Sequence, residues 1–276
     1  MTKKFIAFII LAFSVLPVPA QDFNILNHYS LSAGIGTTGF TADVGTMLTD
    51  YVGIRGGIDY LHSLKYGEDL DLSYIYNGAE PLDAASISDK VKDMNLPTEV
   101  AVEGKLESFT GHALLDIYPF RKVGFHLTVG AYFASKDKFV TVYNKKEGAL
   151  KMVSDFNARR GDFESVPESY GQVAAQLGGY SIMPDDKGNA TAFINVKKVR
   201  PYVGLGFGRA VPKNSRMNCQ FDMGVQIWDT PQVYDGVSGE RLTSGDANSD
   251  AGKVLKAISK IKVYPVISVR ISGRLF

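Results

Sequence analysis

The sequence predicts an all-β fold: an antiparallel up-and-down barrel that spans a membrane with eight strands. Three observations predict it. Segments about ten residues long alternate apolar with polar side chains. The gaps between them are short after every second segment and long after the others. No stretch beyond the N-terminus is apolar enough for a helix to cross a bilayer. The alternation is clearest over Arg216–Trp228, RMNCQFDMGVQIW. Met217, Cys219, Phe221, Met223, Val225 and Ile227 share one parity, and Asn218, Gln220, Asp222, Gly224 and Gln226 the other. Period two places successive side chains on opposite faces of a strand. A strand greasy on one face and amide- and acid-bearing on the other suits a wall between lipid and a polar lumen.

Composition agrees and excludes little else. The chain has 276 residues and a formal charge of +1, which favours neither nucleic acid nor an acidic partner. Mean hydropathy is −0.03. A barrel hides in that average, because only alternate residues are apolar. Residues 1–20 read as a secretory signal: Lys3 and Lys4 form the charged region, Phe5–Val18 the apolar run, and Val18-Pro19-Ala20 the cleavage site. The barrel domain is then 21–276. The lone cysteine, Cys219, excludes an internal disulfide framework and falls on the lipid parity.

Taken in order, the first strand covers about Asn27–Gly36, with Leu31, Ala33 and Ile35 outward and Ser30, Ser32 and Gly34 inward. The second is Phe40–Leu48, with Asp43 inward, and Thr49-Asp50 turns the chain. The third starts at Tyr51, with Ile54, Ile58 and Tyr60 outward and Arg55 and Asp59 inward. Residues 64–99 lose the alternation and read as a loop, with a helix over Ser86–Met94. The fourth strand is Ser108–Tyr118, with His112 and Asp116 inward; Glu99–Leu106 extends it beyond the membrane. The fifth runs from Gly124 to Phe133 with Leu127 and Val129 outward. The long interruption 136–197 contains a helix near Glu147–Phe156 and a hairpin signal at Asp185-Asp186-Lys187-Gly188. The sixth strand, Val199–Gly208, turns Arg200, Tyr202, Gly204, Gly206 and Gly208 inward. Pro212–Ser215 is a turn, and the seventh strand follows. Residues 229–260 form another loop, ending in a helix over Ala251–Ser259. The eighth strand is Ile261–Leu275, with Lys262 and Arg270 inward. If Tyr180–Met183 and Ala190–Lys198 entered the bilayer as a hairpin, the count would be ten.

Short connections follow strands two, four and six; long ones follow three, five and seven. Outer-membrane barrels have short periplasmic turns and longer outer loops. The first strand then rises from the periplasm, and loops 64–99, 136–197 and 229–260 face outward.

Three stretches carry a resemblance: YPFRKVGFHLTVGAYF (Tyr118–Phe133), RPYVGLGFGRAV (Arg200–Val211) with FDMGVQIWDTP (Phe221–Pro231), and KVYPVISVRISGRLF (Lys262–Phe276). Together they resemble small outer-membrane barrel proteins of Bacteroidota and other Gram-negative bacteria, loosely of the OmpA/OmpX type. The resemblance covers strands four to eight, about half the chain. It implies location and fold and carries no catalytic residue. It also implies that the outer-membrane assembly machinery reads the last strand through a terminal aromatic. Phe276 is present but out of phase with the outward parity that ends at Leu275.

An eight-stranded barrel is about wide enough for side chains to fill. The inward parity collects Asp43, Asp59, Asp116 and Asp222 against Arg55, Arg200, Lys262 and Arg270. Buried charges must be paired. A balanced set, with His126 beside it, therefore predicts a salt-bridged interior network. An open selective pore would show one sign in excess. Asp116 and His126 face each other across the 119–123 turn, as an acid-oriented base or as a satisfied interior hydrogen bond. His62 with Asp69 and Asp71 near the outer rim has no specific catalytic spacing. No His/Cys cluster has metal spacing, and GLGFG lies inside a strand, so it is no phosphate loop. Arg160-Gly161-Asp162 and Asn189-Ala190-Thr191 match short motifs at chance level. The expectation is a non-enzymatic outer-membrane protein with no cofactor and no nucleic-acid partner. Its loops contact lipopolysaccharide or a surface partner. The alternatives are a narrow channel for small solutes or ions and a lipid-active enzyme.

Overall fold

The computed structural model describes residues 28–76, 96–159, 173–177, 180–213, 215–242 and 262–275. The expected signal peptide, the helices expected over Ser86–Met94 and Ala251–Ser259, the Arg-Gly-Asp tripeptide and Phe276 lie outside these residues. The strands are β1 Tyr29–Gly36, β2 Gly39–Met47, β3 Val52–Asp71, β4 Ser73–Tyr76, β5 Glu99–Ile117, β6 His126–Ala134, β7 Lys138–Asn144, β8 Val173–Leu177, β9 Tyr180–Ile182, β10 Thr191–Asn195, β11 Val199–Phe207, β12 Met217–Ile227, β13 Gln232–Asp235, β14 Arg241–Leu242 and β15 Val263–Arg274. One helix among the described residues, α1, spans Lys151–Arg159.

Eight strands close an antiparallel ring in the order β1-β2-β3-β5-β6-β11-β12-β15, and β15 pairs back onto β1. The parity rule holds around it. Leu31, Ile35, Phe40, Val44, Ile58, Phe109, Val203, Met223 and Ile267 are exposed on the outside. Ser30, Ser32, Asp43, Arg55, Asp59, His112, Asp116, Gln220 and Asp222 are buried inside. An apolar exterior over a polar interior is the inverse of a water-soluble fold, and it fits a wall bathed in hydrocarbon. Cys219 is exposed on that outer face.

The wall is not of uniform height. β1 has 8 residues and β2 has 9, near the length that crosses a bilayer. β3 has 20 and β5 has 19, and they stay paired to their tips, from Val52↔Ile117 to Asp71↔Glu99. At about 3.3 Å per residue this ladder is about 65 Å long, against a hydrocarbon band of about 25 Å. The extension expected for Glu99–Leu106 is therefore present. The loop expected from residue 64 is instead the upper half of β3 as far as Asp71. Its residues Leu64–Asp69 are exposed, so no single buried face imposes an alternation there. A register shift between Leu61 and Leu64 marks the change. Below it β5 pairs with β6; above it, with β7.

Three further strands continue upward after short breaks. β6 resumes as β7, β10 precedes β11, and β12 is followed by β13, with β7, β10 and β13 pairing side by side. Tyr180–Ile182 and β10 do not form the hairpin anticipated for them: β9 pairs with β8, and β8 with β4. The barrel thus has eight membrane strands, not ten, and carries a folded cap. Within the cap, α1 is shifted from the expected Glu147–Phe156 and buries Val153 and Phe156 against Leu72, Tyr74, Leu96, Val100, Leu150, Val173 and Ala175. The Asp185–Gly188 turn is formed, with Gly188 at φ 80°. Asp185 accepts hydrogen bonds from the backbone N–H of Lys187 and Asn189.

Candidate functional site

The lumen is where the fold gathers charged chemistry. At its centre Arg55 on β3 reaches two carboxylates, Asp116 on β5 at 2.7 Å and Asp222 on β12 at 2.9 Å. Arg270 on β15 bridges Asp222 and Asp43, the latter at 2.8 Å. His112 spans Asp43 at 2.8 Å through Nε2 and Asp59 at 2.7 Å through Nδ1. His126 contacts Asp222 at 2.9 Å through Nε2 and the Gly124 carbonyl at 3.1 Å through Nδ1. The hydroxyls of Thr41 and Thr38 donate to Asp59, and that of Thr128 to Asp116.

Each histidine ring thus stands between two oxygen atoms. Asp43, Asp59, Asp116 and Asp222 are met by Arg55, Arg270, His112 and His126. The bases expected to complete the set, Arg200 and Lys262, stand elsewhere. Lys262 is exposed just before β15. Arg200 is buried but meets no carboxylate among the described residues. Its Nε donates to the Lys197 carbonyl, and its guanidinium lies 5.5 Å from the Phe139 ring centre and 5.3 Å from that of Trp228. The Asp116–His126 pairing is also not made: His126 turns to Asp222, while Asp116 takes Arg55 and Thr128. His62 is on β3 against Tyr60, outside this cluster.

Glycines set the room for this cluster. A Cβ on Gly206 would lie 2.6 Å from His126 Nε2 and 2.8 Å from Asp222 Oδ1. On Gly204 or Gly224 it would overlap the Tyr202 hydroxyl. The inward glycines of β11 are the space that the charged cluster and one tyrosine occupy.

Beside the charges lies an apolar group of Leu114, Tyr132, Tyr202 and Val266, with Tyr132 paired across from His112. Above that, the strand breaks at 135–137, 196–198 and 228–231 all fall at the same rim. They turn Phe139, Val196 and Trp228 over the opening. Asp229 bends the chain there with φ 70°. Trp228 stacks on Tyr264 at 4.8 Å and 7°, and Phe139 stands edge-on to Trp228 at 4.5 Å. A chain segment is also tucked in at the lower end. The connection after β11 reads in the sequence as a plain turn, but Ala210, Val211 and Pro212 are buried. Ser30 donates to the Ala210 carbonyl at 2.7 Å, and the Ala210 N–H donates to the Tyr118 hydroxyl at 2.9 Å. Ser30 is on β1 and Tyr118 follows β5, so this segment crosses beneath the lumen. The sequence signal is faint: a small, apolar Ala-Val-Pro where an exposed turn would be polar.

No protein-family model matches the chain, and no curated protein sequence matches it. Among solved structures it is similar to two forms of CarO from Acinetobacter baumannii. Identity is 14% with CarO, with 91% of this chain and 99% of that one covered and a TM-score of 0.46. With CarO2 identity is 15%, coverage 90% and 98%, and the TM-score 0.46. A major outer membrane protein from Thermus thermophilus aligns at 14% identity over 90% of this chain and 99% of that one, with a TM-score of 0.33.

Proposed function

We propose that this chain is a non-enzymatic integral protein of a Gram-negative outer membrane. Its barrel is a sealed anchor, and its cap is the working surface, meeting lipopolysaccharide or a surface partner. One observation carries the reading: the lumen is filled at every level. The wall of an open channel is as accessible to water as an outer surface. Here Arg55 and Asp222 are 2% exposed, Arg270 3%, and Asp116 and His126 0%. Tyr132 and Tyr202 beside them are 4%. A wet path would leave such linings open.

The chemistry agrees. A mutually bridged cluster of both signs holds its charges against one another, and breaking it to let an ion through exposes them. The second reading, a narrow channel, rests on the polarity of that same lumen and requires the cluster to part. Purified protein in a planar bilayer separates the two. The anchor reading expects a silent membrane at moderate voltage; steady, reproducible openings would replace it with the channel. A lipid-active enzyme is a third class. Lipid A extracted from a deletion strain is expected to be unchanged.

A further inference from the structure

Beside the segment tucked in at the lower end of the lumen lies an open cleft of about 500 Å³, lined by Arg121, Lys122, Arg209, Lys213 and Asn218 among others. We infer that this cleft is a binding site for a phosphate group, carried by a soluble phosphorylated molecule or by a phospholipid head.

The walls are two connections, 118–125 and 208–213, brought together because β6 and β11 are neighbours. They touch at glycines: a Cβ on Gly124 would lie 2.8 Å from the Gly208 backbone nitrogen. Gly208 has φ 101°, which lets the chain turn away beneath the barrel. Three of the four cations have partners. The Arg209 guanidinium stacks on Tyr118 at 4.9 Å and donates to the Arg121 carbonyl at 2.6 Å. Asn218 donates to the Arg209 carbonyl at 3.0 Å, which fixes the backbone of the same residue. Asp50 reaches Arg121 at 3.2 Å and Lys213 at 3.3 Å. Lys122 makes no ion pair among the described residues.

The charge count then points to an anion. Arg121, Lys122, Arg209 and Lys213 stand against Asp50 alone among the described residues, so four positive charges meet one negative. Arg216 and Arg274 add to the same end: the Arg274 guanidinium donates to the Lys213 carbonyl, and its backbone N–H to the Arg216 carbonyl. Like charges gathered around a concave, low-dielectric wall focus field into it. Guanidinium and ammonium donors converging on one volume match a phosphate, whose oxygens accept from several at once. The cleft volume is within the range of small-molecule sites. This end faces away from the cap, so a ligand here would be independent of anything the cap binds, and the inference does not rest on the anchor reading.

The test uses the full chain folded into phosphatidylcholine nanodiscs. Calorimetric titration with glycerol 3-phosphate, against glycerol, probes a soluble phosphate. In parallel, nanodiscs containing phosphatidylglycerol are exchanged into mild detergent, and lipid retained by the protein is measured by mass spectrometry. The variant pair is Lys122→Gln with Lys213→Gln. Lys136→Gln with Lys198→Gln, exposed at the opposite rim, is the control. Heat-dependent gel mobility checks folding. If the pair does not fold, Lys122→Gln alone serves, because it breaks no ion pair. Saturable glycerol phosphate binding that weakens about tenfold or more in the cleft variant supports the site and assigns it to soluble phosphates. Phosphatidylglycerol retention that disappears in the cleft variant alone supports the site and assigns it to a lipid head. Absence of binding in both arms, or equal behaviour of wild type, cleft variant and control, overturns the inference.

Discussion

Asp222 is the residue on which the lumen converges, taking Arg55, His126 and Arg270 at once. Removing its charge leaves two buried guanidinium groups and the His126 ring short of a partner. Asp222→Asn is expected to destabilise the barrel by about 3–5 kcal/mol, read as a shift in urea-driven unfolding from lipid vesicles. Adding Arg270→Gln removes one stranded cation and is expected to recover part of that loss. A double-mutant cycle that closes with no coupling would mean the three contacts are independent. Parity alone places Asp43, Arg55, Asp59, Asp116, His126, Asp222 and Arg270 inside. It places Arg200 there as well, and that residue is indeed buried, but at the rim among aromatic rings. Parity fixes a face and says nothing of height along a strand, and ion pairing needs both. The same gap explains Asp116 and His126. They share a face and lie close in sequence, yet His126 is drawn to the carboxylate on β12 that two arginines already hold.

Strands make sharper predictions than single residues, because one element presents both environments. On β12, Val225→Lys puts an ammonium on the outer face and is expected to cost about 2–4 kcal/mol if that depth is near the bilayer midplane. Gly224→Lys one position away points into the lumen, where the Tyr202 hydroxyl occupies the space a side chain would need. Its penalty is steric and is expected to be relieved in part by Tyr202→Ala, which would do nothing for Val225→Lys. Folding yield into vesicles for the four variants checks this. The cap carries a pH-dependent element in the Asp185 turn. Backbone N–H groups, that of Asn189 first, hold the Asp185 carboxyl below the usual carboxylate range. A depressed acid contributes stability above its unfolded value, near about 4, and loses it as pH falls through the folded value. Amide exchange at Lys187 and Asn189 is therefore expected to quicken, relative to its intrinsic rate, on acidification below about pH 4. In Asp185→Asn that relative change with pH is expected to be absent. The barrel strands were legible because lipid and lumen impose a strict two-sided pattern. The upper half of β3 was not. Its residues 64–69 are exposed on both faces, so nothing selects alternation, and pairing with β5 holds the strand together instead.

For the molecule as a whole, the proposed anchor reading does not depend on one group. The aromatic cluster at the upper rim, the charged and apolar side chains of the lumen, and the Ala210–Pro212 segment are separate sets of contacts. On that reading, removing the rim cluster alone, by Phe139→Ala with Trp228→Ala, is expected to leave planar bilayers silent, because the other two sets remain. Openings in that variant, with a quiet wild type, would make the rim cluster the gate of a channel. The rim cluster itself could not be anticipated. Phe139, Trp228 and Tyr264 come from three separate elements, and only the coincidence of three strand breaks at one rim brings them together.

The β3–β5 ladder stays paired from the barrel into the cap, with one register shift between Leu61 and Leu64. A tether with a hinge lets its cargo sample many heights and tilts; a continuous two-stranded mast does not. The tip of this ladder stands clear of the hydrocarbon, in an orientation set by the barrel below it. If the cap meets a surface partner, as proposed, that contact would be presented already aimed.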